Sequence, residues 1–195
     1  MKILYYDKDI IVLIKPVGID SQKEVPEKIK EQLGGEIFTI HRLDKNVGGV
    51  MVYARNKHSA ALLSEAIQQG KMIKEYVALV HCTPPESNVL EDLLFKDSSK
   101  NKVFVVKRER KGVRFASLEY KVLKSGEKSL VYIRLHTGRS HQIRVQFSSR
   151  GFPLVGDHKY GSHDRIAVPM LYSCKITFPY KGENKTFKTM PEWAQ

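Results

Sequence analysis

Apolar residues along this chain come in short runs broken by glycine, proline and polar pairs, a spacing that predicts strands more often than helices. Asp9-Ile10-Ile11-Val12-Leu13-Ile14 is the first such run, read as a strand ended by Lys15-Pro16-Val17-Gly18. Residues 19–36 are polar, with a short helix expected over Glu27–Leu33 and a stop at Gly34-Gly35. Gly49-Val50-Met51-Val52-Tyr53-Ala54 is apolar throughout, which suits a strand buried on both faces. Asn56 can cap the helix that follows, in which Ala60, Leu63 and Ile67 share one face and Gly70 closes the run. Glu75–Val80 reads as another strand, after which Pro84-Pro85 forces a loop.

Further strands are expected at Val103–Val106, Ser117–Leu123 and Ser129–Leu135, the last two joined by a hairpin turn at Ser125-Gly126-Glu127. Ser140 is placed to cap a helix running to about Arg150, with Ile143 and Phe147 inward, and the last strand is expected at Leu171–Phe178. No repeat, low-complexity tract or long linker interrupts the pattern. The pattern predicts one α+β domain over residues 1–195, with a mainly antiparallel mixed sheet and a few flanking helices.

Composition sharpens this picture. With 195 residues, 42% of them hydrophobic, the chain can bury a sizeable core. It holds no apolar stretch of about 18 residues, so no membrane span is expected. Met1–Asp7 lacks the apolar centre of a signal peptide, which makes the cytoplasm the expected compartment. Cys82 and Cys174 form no C-x-x-C pair and are expected as two buried, reduced thiols. Asn184-Lys185-Thr186 matches a glycosylation acceptor, a match without weight in a chain with no secretion signal. The seven histidines show no ligand spacing, so no metal is expected.

Charge changes the picture most. Thirty-three Lys and Arg against 21 Asp and Glu leave a net charge of +12. A chain this basic points to a polyanionic partner, because neutralising phosphates releases counterions. The basic residues are spread along the sequence, so a binding surface has to be assembled by folding.

Three segments hold candidate chemistry. His41-Arg42-Leu43-Asp44-Lys45, followed by Val47-Gly48-Gly49, sets an acid among bases beside glycines; alone, it reads as an ordinary charged surface turn before a strand. In Thr137-Gly138-Arg139-Ser140-His141-Gln142-Ile143-Arg144-Val145 a strand gives way to a helix. Amide groups at that helix start, next to Arg139 and His141, offer a phosphate site, against the plainer reading of a capped helix with solvated charges. Tyr76, in Lys74-Glu75-Tyr76-Val77-Ala78, is by pattern alone a core aromatic.

Together the segments resemble the RluA-type pseudouridine synthases, in the family's order and through almost the whole chain. The resemblance rests on Lys15-Pro16-Val17-Gly18, HRLD at 41–44, KEYVALV at 74–80, TGRSHQIRV at 137–145, GFPLVGDHKYG at 151–161 and LYSCKITFPY at 171–180. It implies the pseudouridine synthase catalytic fold and an RNA isomerase acting on ribosomal or transfer RNA, working without metal or cofactor. It also implies that the N1–C1′ bond of a flipped-out uridine is broken and the ring rejoined through C5. The family's reacting aspartate maps onto Asp44, whose carboxylate either attacks C1′ or takes the C2′ proton; both routes fit. Arg144 maps onto the arginine that pairs with that aspartate, and Tyr76 onto the tyrosine lying against the uracil. Arg42 maps onto the residue that fills the space left by the flipped base. His41, Arg139, Ser140 and His141 are expected to shape the site and hold backbone phosphates.

Two departures stand out. Val47-Gly48-Gly49 replaces the family's usual Thr-Ser-Gly, removing two hydroxyls from the loop carrying Asp44. The first catalytic-domain strand is reached within about ten residues, so the S4 RNA-binding module of many relatives is expected to be absent, leaving the grip on RNA to the catalytic domain itself or to a partner. The sequence does not fix the oligomeric state, and a monomer is the expectation. Two rival classes use the same residues: a catalytically silent RNA-binding or RNA-chaperone protein, and a glycosidic-bond hydrolase with Asp44 as nucleophile. A pure binder has no need of Asp44, Tyr76, Arg144 and Arg42 together. The hydrolase needs a second acid, and no motif position supplies one.

Overall fold

The computed structural model describes residues 1–166 and 168–195. From the N terminus the elements are β1 (Lys2–Tyr6), β2 (Ile10–Lys15), α1 (Glu24–Leu33), β3 (Phe38–Thr39), β4 (Gly48–Ala54), α2 (Lys57–Gln68), β5 (Ile73–His81), β6 (Ser87–Asp97), β7 (Lys102–Val106), β8 (Val113–Lys124), β9 (Lys128–Leu135), α3 (Gln142–Ser148), β10 (Leu171–Tyr180) and β11 (Glu183–Lys188). The class is α+β, with mainly antiparallel strand pairing and three α-helices among the described residues, as the alternation of apolar runs predicts. The chain divides into two compact units, Met1–Glu75 with Tyr172–Gln195, and Tyr76–Leu171.

In the first unit the strands run β1-β2-β4-β10, with β3 on β4 and β11 on β10. All pairs are antiparallel except β4 with β10, which is parallel. Every residue of β4 is buried, which explains the continuous apolar run. Its Val50, Val52 and Ala54 join Ile10, Val12, Leu63, Met72, Ile176 and Phe178 in one core. Helix α2 starts where expected: the Asn56 side chain accepts from Ser59 N–H at 2.8 Å. The Asp7 carboxylate ties two turns of the unit together, accepting from Tyr180 hydroxyl at 2.6 Å and Lys181 Nζ at 2.9 Å.

In the second unit the order is β5-β9-β8-β6-β7, and β6, β7, β8 and β9 pair antiparallel. Leu94, Val103, Ala116, Val145 and Tyr160 form a core cluster, with α3 packed on β6 and β7.

Several expectations are corrected. β1, the two-residue β3, β6 and β11 were not legible as strands, so the strand ending at Tyr180 is followed by another. Helix α1 begins at Glu24, three residues early, and α3 begins at Gln142, after Ser140. Cys82 is exposed rather than buried, because the chain turns there in a left-handed conformation at φ 62° as β5 ends. Cys174 is buried, and burial together with nearby Glu75 pushes its thiol up to about 12. Among the described residues no helix is long and apolar enough to cross a membrane, and no cluster of His, Cys, Asp and Glu is arranged to hold a metal.

Candidate active site

In the first unit, the segment linking β3 to β4 carries His41, Arg42 and Asp44. Its side chains alternate: Arg42 is exposed, Leu43 is buried, and His41 and Asp44 are half-buried. Main-chain hydrogen bonds hold it on both sides of Asp44. Leu43 N–H donates to Ser21 Oγ at 3.2 Å, and the Ser21 hydroxyl donates back to Leu43 O at 2.9 Å. Tyr53 hydroxyl donates to Ser21 O at 2.8 Å, anchoring that serine to β4. Val47 N–H closes a turn onto Asp44 O at 2.9 Å, and Gly18 N–H donates to Lys45 O at 2.8 Å.

Below this loop lies Lys15, whose side chain is fully buried. Its ammonium donates to Lys45 O at 3.1 Å, Ile19 O at 2.8 Å and Pro16 O at 2.9 Å. An ammonium has three protons, and each has a carbonyl here. Burial pulls this lysine down to about 8, against the opposing pull of Asp20 and Asp44. Lysine is by composition a surface residue, so nothing in Lys15-Pro16-Val17-Gly18 marked it as a brace.

His41 is held as a neutral ring. Val52 N–H donates to its Nε2 at 3.2 Å, which places the ring proton on Nδ1. Burial first, and the Lys74 charge second, depress it to about 3. Of the two roles expected for His41, this geometry serves the shaping of the loop; a neutral ring offers a phosphate no charge.

Loss of the two hydroxyls at Val47-Gly48-Gly49 does not leave this loop slack. Val47 is buried at 2% exposure. Gly49 sits at φ 126° across from Ser173 of β10, and an added Cβ would lie 2.6 Å from the Ser173 nitrogen. Only glycine allows the parallel β4–β10 approach there.

In the second unit, Tyr76 lies on β5 at 5% exposure. The segment from Thr137 to Arg144 is organised by a side chain the sequence did not single out. Gln142 Oε1 accepts from Thr137 hydroxyl at 2.8 Å and Arg139 N–H at 3.0 Å, and its Nε2 donates to Ser117 O at 3.0 Å. Gln142 thereby ties the turn ahead of α3 to β8, while the residue before α3 is His141, in a left-handed conformation at φ 50°, and no side chain caps the helix as Ser140 was expected to. The Arg139 amide, ahead of the seven-residue α3, is taken by Gln142. Arg139 is exposed and donates from Nε to Phe115 O at 2.9 Å.

Arg144 is buried on α3. Its Nε donates to Asp157 Oδ2 at 2.7 Å and its Nη2 to Asp157 Oδ1 at 2.8 Å. The Tyr160 ring lies 5.0 Å from the guanidinium carbon. Tyr160 hydroxyl in turn accepts from Val103 N–H at 2.8 Å and meets His141 Nδ1 at 2.8 Å. Asp157 and Tyr160 both fall in GFPLVGDHKYG, where an acid between apolar residues and glycines was the available signal. Each unit thus gathers its own candidates: His41, Arg42 and Asp44 in the first; Tyr76, Arg139, Ser140, His141 and Arg144 in the second.

Known proteins extend this picture. A family model described as RNA pseudouridylate synthase matches residues 9–149. The ribosomal large subunit pseudouridine synthase C of Buchnera aphidicola is 31% identical over 210 residues, covering 97% of this chain and 67% of that protein. The tRNA pseudouridine synthase C of Haemophilus ducreyi is 31% identical over 180 residues, covering 83% and 74%. Among solved structures, human RNA pseudouridylate synthase domain containing 4 superposes with a TM-score of 0.81 at 26% identity, covering 99% of this chain and 90% of that one.

Proposed function

The chain belongs to the RNA pseudouridylate synthase family, and from that premise we propose that it isomerises uridines of ribosomal or transfer RNA with Asp44 as the reacting carboxylate. Those two RNA classes are the ones in the names of the two bacterial relatives. The matched region, residues 9–149, takes in parts of both units, which favours treating residues 1–195 as one catalytic domain.

The observation that carries the reading is the loop at Asp44. A half-exposed carboxylate stands between two main-chain clamps, with a buried ammonium beneath. Fixing the backbone on both sides of the carboxylate removes most of the conformational freedom of the residue that carries it. Arg42, exposed on the same loop, is assigned to the space vacated by the flipped nucleotide, an extrusion that costs a few kcal/mol. Tyr76 is assigned to the uracil face, where stacking contributes about 1–3 kcal/mol. Arg144 is assigned to Asp44 as its charge partner, and Arg139, Ser140 and His141 to the RNA backbone.

The reaction is an isomerisation in which nothing is gained or lost. The N1–C1′ bond breaks, the ring turns, C5 bonds to C1′, and the C5 proton ends on nitrogen. Asp44 holds the sugar in between, either as an ester at C1′ or by holding the C2′ proton while a glycal forms.

The test is to incubate the protein with total RNA from cells lacking it and to map carbodiimide-resistant adducts by primer extension. New stops are expected in ribosomal or transfer RNA, and none with Asp44→Asn, whose melting temperature should stay within about 2 °C of wild type. Free uracil in place of stops would replace the synthase with the hydrolase. RNA binding with neither product would replace it with a silent binder.

A further inference from the structure

We propose that Asp157 is a positioning residue for this reaction, acting through Arg144. The inference rests on Arg144 being part of the reacting machinery. A guanidinium has five N–H donors in one plane, and Asp157 takes the edge formed by Nε and Nη2 in a two-point contact at 2.7 and 2.8 Å. Two contacts define that plane, and with it the direction in which the Nη1 edge projects. The side chains of Arg144 and Asp157 are only 10% and 1% exposed, so neither charge has water to fall back on.

Asp157 is itself held by its neighbours. Its N–H donates to Leu154 O at 3.0 Å, and its carbonyl accepts from Tyr160 N–H at 3.0 Å and Ser162 N–H at 3.1 Å. That short turn delivers the Tyr160 ring to the guanidinium, and Ser148 hydroxyl pins the turn to α3 by donating to Tyr160 O at 2.6 Å. Carboxylate, ring and helix thus meet on one side chain. A guanidinium already matched by Asp157 contributes to a second carboxylate as a fixed set of donors more than as an unbalanced charge. Arg144 then orients its substrate-side partner, and Asp157 sets where it points.

In Asp157→Asn the new amide nitrogen would face a guanidinium N–H, donor against donor, and the plane would turn. We expect single-turnover pseudouridine formation in total RNA from cells lacking the protein to fall about 10- to 100-fold, the scale of a displacement near 1 Å, with the RNA Kd unchanged within about three-fold. Combined with Arg144→Lys, the second substitution should add little to the first. Wild-type turnover in a folded Asp157→Asn protein, or fully additive losses, would overturn the proposal while leaving the Asp44 reading intact. Full activity in Arg144→Ala would overturn both this proposal and the role given to Arg144. Should Asp157→Asn not fold, the wild-type protein still decides. Its Arg144 Nε–H, assigned by its disappearance in Arg144→Lys, should exchange slowly with water in the NMR spectrum, and rapid exchange would refute the fixed fork.

Discussion

The loop bearing Asp44 and the helix bearing Arg144 are both held firmly, but by opposite means. Around Asp44 the grip is on main-chain atoms: Ser21 on both polar groups of Leu43, and Lys15 with Gly18 on the Lys45 carbonyl. Around Arg144 the grip is on the reactive side chain itself, by the Asp157 carboxylate and the Tyr160 ring. A backbone-clamped residue keeps its loop in place when its side chain is changed. A residue clamped through its side chain has no such tolerance, because its removal strands a buried partner. Chemistry and stability should therefore be separable at Asp44 and inseparable at Arg144.

The strongest test of that contrast is Arg144→Ala. It leaves Asp157 charged, buried and alone, and breaking such a pair costs about 3–5 kcal/mol. Urea unfolding should show that loss, and turnover should vanish while RNA affinity stays within a few-fold. Replacing the pair together, Arg144→Met with Asp157→Leu, should recover most of the stability and none of the turnover, since well-packed apolar residues often match a buried ion pair. If Asp44→Asn destabilises the protein as much as Arg144→Ala, the contrast is wrong.

A smaller effect is expected under Asp44. Lys15→Met keeps the length of the side chain but leaves the carbonyls of Pro16 and Ile19 without their ammonium, at a cost of about 1–3 kcal/mol. The Asp44 loop should loosen, lowering turnover more than RNA affinity. Its pH signature is distinctive. The folded lysine sits at about 8 against 10.5 in the unfolded chain, so between those values the unfolded chain holds the proton more tightly. Wild-type stability therefore gains from this group as pH rises through that window, and the Met variant lacks the gain. Equal pH slopes in the two proteins would mean that Lys15 is not buried as a charge.

Most of the frame that carries these clamps was legible in the sequence. β4 announced itself as a glycine-bounded apolar run, and α2 by Asn56 and its apolar spacing. The strands that were missed gave no period to read. β1 and β11 present mostly exposed or half-buried residues. β6 places charged residues beside apolar ones behind Pro84-Pro85. The motifs pointed to Asp44 and Arg144, but what holds them was hidden. Lys15 looks like surface, Ser21 lies in a polar stretch, and Asp157 is 13 residues from the arginine it binds. Pairings between distant side chains leave no periodic trace, and a buried charge shows in sequence only when its partner is known.

The finest test concerns His41, which joins the Asp44 loop to β4 by accepting from Val52 N–H. A ring nitrogen can accept only while unprotonated, so the bond needs the neutral ring. Folded, His41 is held near 3; unfolded, it returns to about 6.5. Above 6.5 both states are neutral and the bond contributes fully. As pH falls below 6.5 the unfolded chain takes up a proton that the fold refuses, so stability is lost progressively toward pH 3. One proton accounts for at most about 1.4 kcal/mol per pH unit. In His41→Gln, which keeps an acceptor and has no proton to gain, the slope of stability in this window should be flatter by up to that amount. Lys74→Met removes the second cause of the depression, so the ring should titrate at a somewhat higher pH and the loss should end earlier. An unchanged slope in His41→Gln would show that the ring is charged in the fold. The Asp44 loop would then be joined to β4 by something other than this main-chain hydrogen bond, and the contrast with Arg144 would lose one of its supports.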